Sequence, residues 1–311
     1  MPEKKPLVVT FTKMNGAGND FIVFDNRFLH FTGEELAAFA RRFCPRRTGV
    51  GADGLLALDE PGEDGQDYRM RYRNADGSRA GLCGNGARCL ARFARDAGLG
   101  ERGSGGEREG GRAEEEPTAL VFASDAGTHR VLVPADPEAP VRFYAAAPQG
   151  LVETVTLRTD GLAERLPGPV SFVNTGTEHA VLFVDDAAEA PLADWGPRIR
   201  GDAAFAPEGA NANVVEVERA GDTEARLVVR TFEKGVEGET LACGTGALAA
   251  AVVAWRTGRV AGPPVAVEMP GGLLRVGFRA GEDRDAPVED LYLEGPAETT
   301  FQGTVEMPTG A

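Results

Sequence analysis

Residues 82–88 read LCGNGAR and residues 241–247 read LACGTGA, so a cysteine followed by Gly-polar-Gly-Ala occurs at Cys83 and again at Cys243, 160 positions later (243 − 83). A second pair of segments, GNDFIVFDN from Gly18 and GTEHAVLFVDD from Gly176, repeats at nearly the same offset, with Thr177 158 positions after Asn19. Two matches at nearly one offset mark a duplicated unit. With 311 residues, 42% of them hydrophobic, the chain has enough apolar content for two cores. The expectation is two similar domains, each presenting one Cys-Gly-x-Gly turn, facing each other across the kind of cleft where ligand sites concentrate.

The segments between these landmarks read mainly as short strands. LVVTFTKM, DFIVFDN, YRMRYRN, ALVFASD, THRVLVP, VRFYAAA, ETVTLRT, HAVLFVD, ANVVEVE, ARLVVRTF, AVEMP, LLRVGF and LYLEG are rich in Val, Phe and Tyr and are broken by Gly, Pro and Asp. Helices are expected over 34–43, 86–97 and 246–257. That mixture fits a sheet-dominated fold with a few embedded helices better than alternating βαβ units. Residues 100–118, GERGSGGEREGGRAEEEPT, have the composition of a solvated, flexible loop.

Each repeated cysteine precedes a stretch of good helix formers, ARCLARFARDA in one case and ALAAAVVAW in the other. Its sulfur is therefore expected near a helix N-terminus, where unpaired N–H groups and the helix dipole favour negative charge and lower a thiol pKa. The glycines allow close backbone approach, and the free amides form a site for a carboxylate. A thiolate and a thiol on opposite faces of one carbon are what a two-base racemase needs. The weakly acidic α-hydrogen also demands a preorganised cradle for the charge that develops. Cys44 and Cys89 read as small buried hydrophobes, and His30 and His129 as satisfied core histidines.

Composition excludes several other classes. A net charge of −15 and a pI near 4.8 oppose a nucleic-acid partner and an anionic membrane surface. The longest helical apolar run, 247–255, is too short to span a bilayer. The N-terminus shows no signal-peptide h-region, and four cysteines in so long a chain do not make a disulfide scaffold, so a cytoplasmic protein with reduced thiols is expected. The lysines are Lys4, Lys5, Lys13 and Lys234, none beside a recognisable phosphate cup, so no pyridoxal cofactor is expected. No metal is expected either, because no His or Cys pair has a zinc-site spacing.

The segments KMNGAGNDFIVFDN, GVGADGLL, YRNADGSRAGLCGNGARCLARF, NTGTEHAV, GANANVVEV, RTFEKGVEGETLACGTGALAAA and MPGGLLRV, in that order, together with LYLEGPAE, make the chain similar to the diaminopimelate epimerases, cofactor-independent amino-acid epimerases. The resemblance implies an α/β fold of α+β type with two pseudosymmetric domains. Each would be a curled, mainly antiparallel sheet around a central helix, with the active site between them. Domain one would span 1–138 plus 289–311 and domain two 139–288. The implied activity is conversion of LL-2,6-diaminopimelate to the meso form, in lysine and peptidoglycan-precursor synthesis, by a homodimer. Cys83 and Cys243 match the acid-base thiols; Gly84, Asn85, Gly244 and Thr245 match the groups holding the reacting carboxylate. Asn19, Asn74 and Asn211 match polar substrate contacts, Glu233 an acid that receives an amino group, and His179 a pocket histidine. Asn74, Asn211 and Lys234 would hold the distal carboxylate. Three positions depart from the family pattern: Lys234 stands where Arg is usual, Thr177 where Asn is common, and Gly54 where some members carry Gln. Lysine lacks the bidentate fork of arginine, so selectivity at the distal carboxylate is the property these departures would alter.

Two rival readings accompany this one. A cofactor-independent racemase of another amino acid would share the chemistry and differ at Lys234. A non-catalytic thiol-bearing binding or redox-sensing protein would share only the fold, and lacks the C-x-x-C partner typical of thiol exchange.

Overall fold

A computed structural model describes residues 6–100, 116–220, 224–281 and 283–307. Two compact units emerge, one made of the residues up to Phe143 together with those from Pro296 onward, the other of Tyr144–Gly295.

The first unit contains β1 (Leu7–Gly16), β2 (Asn19–Asp25), α1 (Gly33–Phe43), β3 (Gly54–Asp59), β4 (Tyr68–Asn74), α2 (Gly84–Asp96), β5 (Thr118–Ser124), β6 (Gly127–Val133) and most of β7 (Val141–Tyr144). The second contains β8 (Gln149–Val152), β9 (Val170–Asn174), β10 (Glu178–Val184), α3 (Leu192–Arg200), β11 (Asn211–Ala220), β12 (Glu224–Glu233), β13 (Gly238–Thr240), α4 (Gly244–Arg256), β14 (Val265–Met269), β15 (Gly272–Arg279) and β16 (Glu289–Gly295). The last strand, β17 (Glu298–Met307), returns to the first unit and pairs antiparallel with β1.

One connectivity serves both units. In the first, β1 and β2 are antiparallel, β2 and β3 parallel, β3 and β4 antiparallel, β4 and β5 parallel, and β5 and β6 antiparallel. In the second, the same alternation runs through β9, β10, β11, β12, β14 and β15. The parallel pairs enclose α1 and α3, and a second helix, α2 or α4, follows the fourth strand. The duplication read from two short phrases thus extends to the pairing pattern. The result is a mixed α/β fold, mostly sheet, with four helices among the described residues.

The outer helices are amphipathic and the central ones are engulfed. In α1, Leu36, Phe39, Ala40 and Phe43 face a core with Val9, Ile22, Phe24 and Leu55. Each large side chain so buried contributes roughly 2 kcal/mol. The helix starts at a capping box: Thr32 accepts from the Glu35 amide and Glu35 accepts from the Thr32 amide. The central α4 is buried from Gly246 to Trp255 because sheet strands pack around it. In α2 even Arg88 and Arg92 are buried, and backbone oxygens of Pro296, Pro134 and Ala139 accept from their guanidinium groups.

Several expected elements are corrected. ETVTLRT (153–159) is not a strand: Val155 N–H donates to Val170 O, and the Arg158 and Thr159 amides donate to the Asp202 carboxylate instead of a ladder. In VRFYAAA only Val141–Tyr144 is a strand. Helices α2 and α4 begin at Gly84 and Gly244, two residues earlier than expected, because the Gly-polar-Gly triplets adopt helical conformation. Not expected from the sequence were β3, β8, β9, β13, β17 and α3, the last a helix that contains Pro197. Of the expected loop 100–118, residues 101–115 lie outside the described residues and Thr118 opens β5.

Candidate functional site

Cys83 is the N-cap of α2 and Cys243 the N-cap of α4, both in extended conformation with φ of −130° and −115°. Each cysteine carbonyl accepts the first intrahelical bond, from Ala87 N at 2.7 Å and from Ala247 N at 2.9 Å. The sulfurs thus stand where the first helical amides have no intrahelical partner. The second glycine of each triplet lets the helix approach its sheet. A Cβ on Gly86 would lie 3.1 Å from Leu56 Cδ2, and one on Gly246 only 2.6 Å from Asn213 Oδ1. A Cβ on Gly84, by contrast, would meet open space.

Sheet register brings the other candidates to corresponding ends. Phe21 lies opposite Gly54, and Gly54 opposite Asn74; likewise His179 lies opposite Asn211, and Ala212 opposite Phe232, next to Glu233. Parallel strands followed by an antiparallel partner line up β-strand ends, so residues far apart in sequence share one rim.

Around Cys83 the contacts form a chain. The Cys83 thiol donates to Asn19 Oδ1 at 3.4 Å, while its sulfur accepts from Gly86 N at 3.5 Å. Asn19 Nδ2 donates to Asp53 Oδ2 at 2.7 Å. The hairpin before Asn19 turns through Ala17 and Gly18, both at positive φ, which sets Asn19 opposite Gly16. Asp53 Oδ1 accepts from Arg46, which also grips Asp20, and Asp20 pairs with the buried Lys13 at 2.5 Å. Burial acts to raise the Asp20 carboxyl, but the Arg46 and Lys13 hydrogen bonds and charges outweigh it and hold the group at about 2. Asn85 is buried and its Oδ1 accepts from Arg88. Asn74 spans its own turn, with Nδ2 donating to Ser78 Oγ at 2.9 Å. At the Gly54 departure, a Cβ would lie 2.6 Å from Tyr72 Cε2, so the Tyr72 ring takes the space a larger residue would enter. Cys44 and Cys89 are buried, and desolvation pushes both thiols to about 12.

Around Cys243 the sulfur lies 3.5 Å from Thr245 Oγ1, and Thr245 O accepts from Thr175 Oγ1. Lys234 Nζ pairs with Glu178 Oε2 at 2.6 Å, and Thr177 Oγ1 donates to the same oxygen. The pair holds the Glu178 carboxyl below its ordinary range, with the Lys234 hydrogen bond the largest cause. Asn211 is buried and its Oδ1 accepts from the Lys234 amide at 2.7 Å. His179 is fully buried; its Nδ1 lies 3.1 Å from Asn213 Nδ2, which makes it the acceptor end of a neutral ring, and its Nε2 lies 3.5 Å from Asn211 Nδ2. Desolvation drives this imidazole down to about 3. Burial raises the Glu233 carboxyl, partly offset by the hydroxyl of Thr240 at 2.9 Å.

The sequence reading missed Asp20, Arg46 and Asp53 beside Asn19, and Glu178 beside Lys234. Asp53 and Glu178 lay inside quoted motifs, GVGADGLL and NTGTEHAV, but nothing in one sequence marked which side chain they would meet. A cavity of about 550 Å³ in the second unit, lined by Phe172, Arg158, Glu178, Phe205 and Glu208 among others, contains none of the expected site residues. Among the described residues, no group of three His, Cys, Asp or Glu side chains is arranged to hold a metal ion, and no helix is long and apolar enough to cross a membrane.

Two units of one connectivity, each with a cysteine capping its engulfed helix, define a duplicated α/β fold that is shared with solved structures. A Bacillus anthracis phenazine biosynthesis protein of the PhzF family superimposes with a TM-score of 0.69 over 96% of this chain and 99% of that one, at 15% identity, a likeness of fold alone. The family model described as diaminopimelate epimerase matches residues 11–114 and 171–299. The diaminopimelate epimerase of Chlorobaculum tepidum is 36% identical, covering 94% of this chain and 100% of that protein, and the one from Halorhodospira halophila is 40% identical, covering 97% and 96%. The chain belongs to the diaminopimelate epimerase family and is an enzyme of the isomerase class.

Proposed function

We propose that this enzyme converts LL-2,6-diaminopimelate to the meso form by two-base proton transfer, with Cys83 and Cys243 as the acid-base pair. The observation that carries the reading is the cysteine N-cap repeated at the start of both central helices. One sulfur, as thiolate, takes the α-hydrogen as a proton. The electron pair left on carbon spreads into the α-carboxylate, and the other sulfur, as thiol, delivers its proton to the opposite face. Each turnover exchanges the protonation states of the two sulfurs, so the enzyme is left ready for the reverse direction. The acceptor of one proton and the donor of the other are both protein thiols, and the chemistry requires no cofactor.

The remaining candidates take roles that their surroundings support. Amides at Gly84, Asn85, Gly244 and Thr245 hold the α-carboxylate at the helix starts. Glu233, destabilised as an anion by burial, gains most from a substrate ammonium. Asn19, Asn74, Thr177, Asn211 and Lys234 supply polar contacts, with the last two and Asn74 on the distal carboxylate. His179 backs Asn211 from within the core. We place the enzyme in the cytoplasm as a homodimer serving lysine and peptidoglycan-precursor synthesis; the names of its relatives support the substrate.

Replacing Cys83 or Cys243 with Ser should leave the circular dichroism spectrum unchanged and lower turnover by about 10²-fold or more. A folded Cys243→Ser enzyme at the wild-type rate would remove the two-base reading. One observation favours a shifted substrate: Lys234, already a departure, is engaged by Glu178. Better turnover of a monocarboxylic amino acid than of diaminopimelate would keep the chemistry and change the substrate.

A further inference from the structure

Asn19 is an amide with a donor end and an acceptor end, and which end meets Cys83 decides which protonation state of the thiol it favours. The structure assigns that choice to Asp53: we propose that Asp53 is a positioning residue that holds the Asn19 amide with its oxygen toward Cys83, so that Cys83 rests as the protonated partner of the pair. A carboxylate oxygen only accepts, so it must meet the Nδ2 end of Asn19, as it does at 2.7 Å. The opposite end, Oδ1, is then turned to the sulfur at 3.4 Å, where it accepts the S–H and would repel a thiolate.

Asp53 is itself fixed from three sides. Arg46 donates to its Oδ1 at 2.8 Å, its Oδ2 also accepts from the Asp20 amide at 3.2 Å, and its own amide donates to Asp20 Oδ1 at 3.1 Å. Arg46 closes the loop by donating to both Asp20 oxygens, and Lys13 anchors Asp20 from β1. The clamp is therefore a braced assembly drawn from β1, β2, the segment after α1 and the entrance to β3, with one free amide end to present. In the catalytic cycle, the amide need not move when Cys83 acts as the acid that delivers its proton; when Cys83 must act as the base, it works against the oxygen it faces. The asymmetry between the two directions of proton transfer thus has a source on this side of the site.

The inference rests on reading Cys83 as an acid-base group, but its test is thiol chemistry and does not depend on turnover. In Cys243→Ala protein, with Cys44 and Cys89 buried, the pH midpoint of Cys83 alkylation by iodoacetamide is measured, with the modified residue located by mass spectrometry. Asp53→Ala should free the amide to turn its N–H to the sulfur and move the midpoint down by about one pH unit. Asp53→Asn, which can keep an acceptor oxygen on Asn19, should move it less. Loss of the Asp53 charge alone would also lower the midpoint, so a double-variant cycle with Asn19→Leu separates the two causes. Titratable groups near this thiol include Arg88 and Cys89 on α2; Glu298 on β17 acts on the neighbouring Cys89, Lys13, Asp20 and Arg46 belong to the clamp, and all are common to every arm of the cycle. If Asp53 acts through the amide, Asp53→Ala has little further effect in Asn19→Leu protein. An equal downward shift in both backgrounds, or no shift in either, overturns the proposal. Should Asp53→Ala not fold, Asp53→Ser, whose side chain is too short to hold Asn19 Nδ2, replaces it in the cycle and is judged by the same criterion. Failure of the epimerase reading would instead show as absent α-hydrogen exchange by wild-type enzyme.

Discussion

Lys234 and Thr177, two of the three positions read from the sequence as departures from the family pattern, meet at one carboxylate, Glu178. Lys234 Nζ is 2.6 Å from Glu178 Oε2, and Thr177, a second departure, donates to the same carboxylate. If Lys234 serves the distal carboxylate, Glu178 competes for it, and Glu178→Gln should lower KM for diaminopimelate by a few-fold with kcat nearly unchanged. The size is modest because both side chains are partly exposed, where ion pairs contribute about 1 kcal/mol or less. Steady-state kinetics check this; a KM raised tenfold would show instead that Glu178 itself holds substrate. His179 gives a second prediction at this scale. Its folded pKa of about 3 lies below the ordinary 6.5, so between those values the unfolded chain binds a proton that the folded one does not. Its neutral burial therefore makes stability fall as pH drops from about 6.5 toward 3. Asp20, held at about 2 from 3.8, adds a further loss only below about 4. Urea midpoints across that range should show the first decline in wild-type protein and a shallower one in His179→Gln.

The helix starts concentrate the packing constraints. Gly246 carries the tighter of the two helix-to-sheet approaches, and a methyl there would collide with Asn213, which also braces His179. Gly246→Ala should destabilise by about 1–3 kcal/mol, read as a lower denaturation midpoint, whereas Gly84→Ala, pointing into open space, should leave stability within about 1 kcal/mol. The sequence showed that both cysteines precede helices, because Gly-x-Gly followed by strong helix formers is a local signal. It did not show that the glycines are already helical, since glycine reads as a turn until a sheet is packed against it. Nor did it show the clamp on Asn19: the partner of an amide side chain depends on strand register, and Asp53 reaches Asn19 only because β2 and β3 run in parallel. ETVTLRT failed for a related reason. Its alternation suits a strand, but Asp202 captures the amides a ladder would need.

At the scale of the molecule, the duplication is the organising fact. Two copies of one strand order give two engulfed helices, and each helix begins with a thiol, so a chain built by repetition acquires two groups of the same chemistry. The repeat was legible from two short phrases, the Cys-Gly-x-Gly turns and the corresponding strands β2 and β10; elsewhere the two units share their pairing pattern. The duplicates are not equivalent: Cys83 faces a braced amide oxygen, while Cys243 has the hydroxyl of Thr245 beside it. The account therefore assigns the two thiols different resting roles in one reaction.

The most direct test of the central claim is incubation of reduced wild-type enzyme with LL-2,6-diaminopimelate in D₂O without added cofactor, following α-hydrogen exchange by NMR and the meso product by chiral chromatography. The account predicts meso product carrying deuterium at the inverted α-carbon. Folded protein with both thiols free that gives neither exchange nor meso product would contradict it.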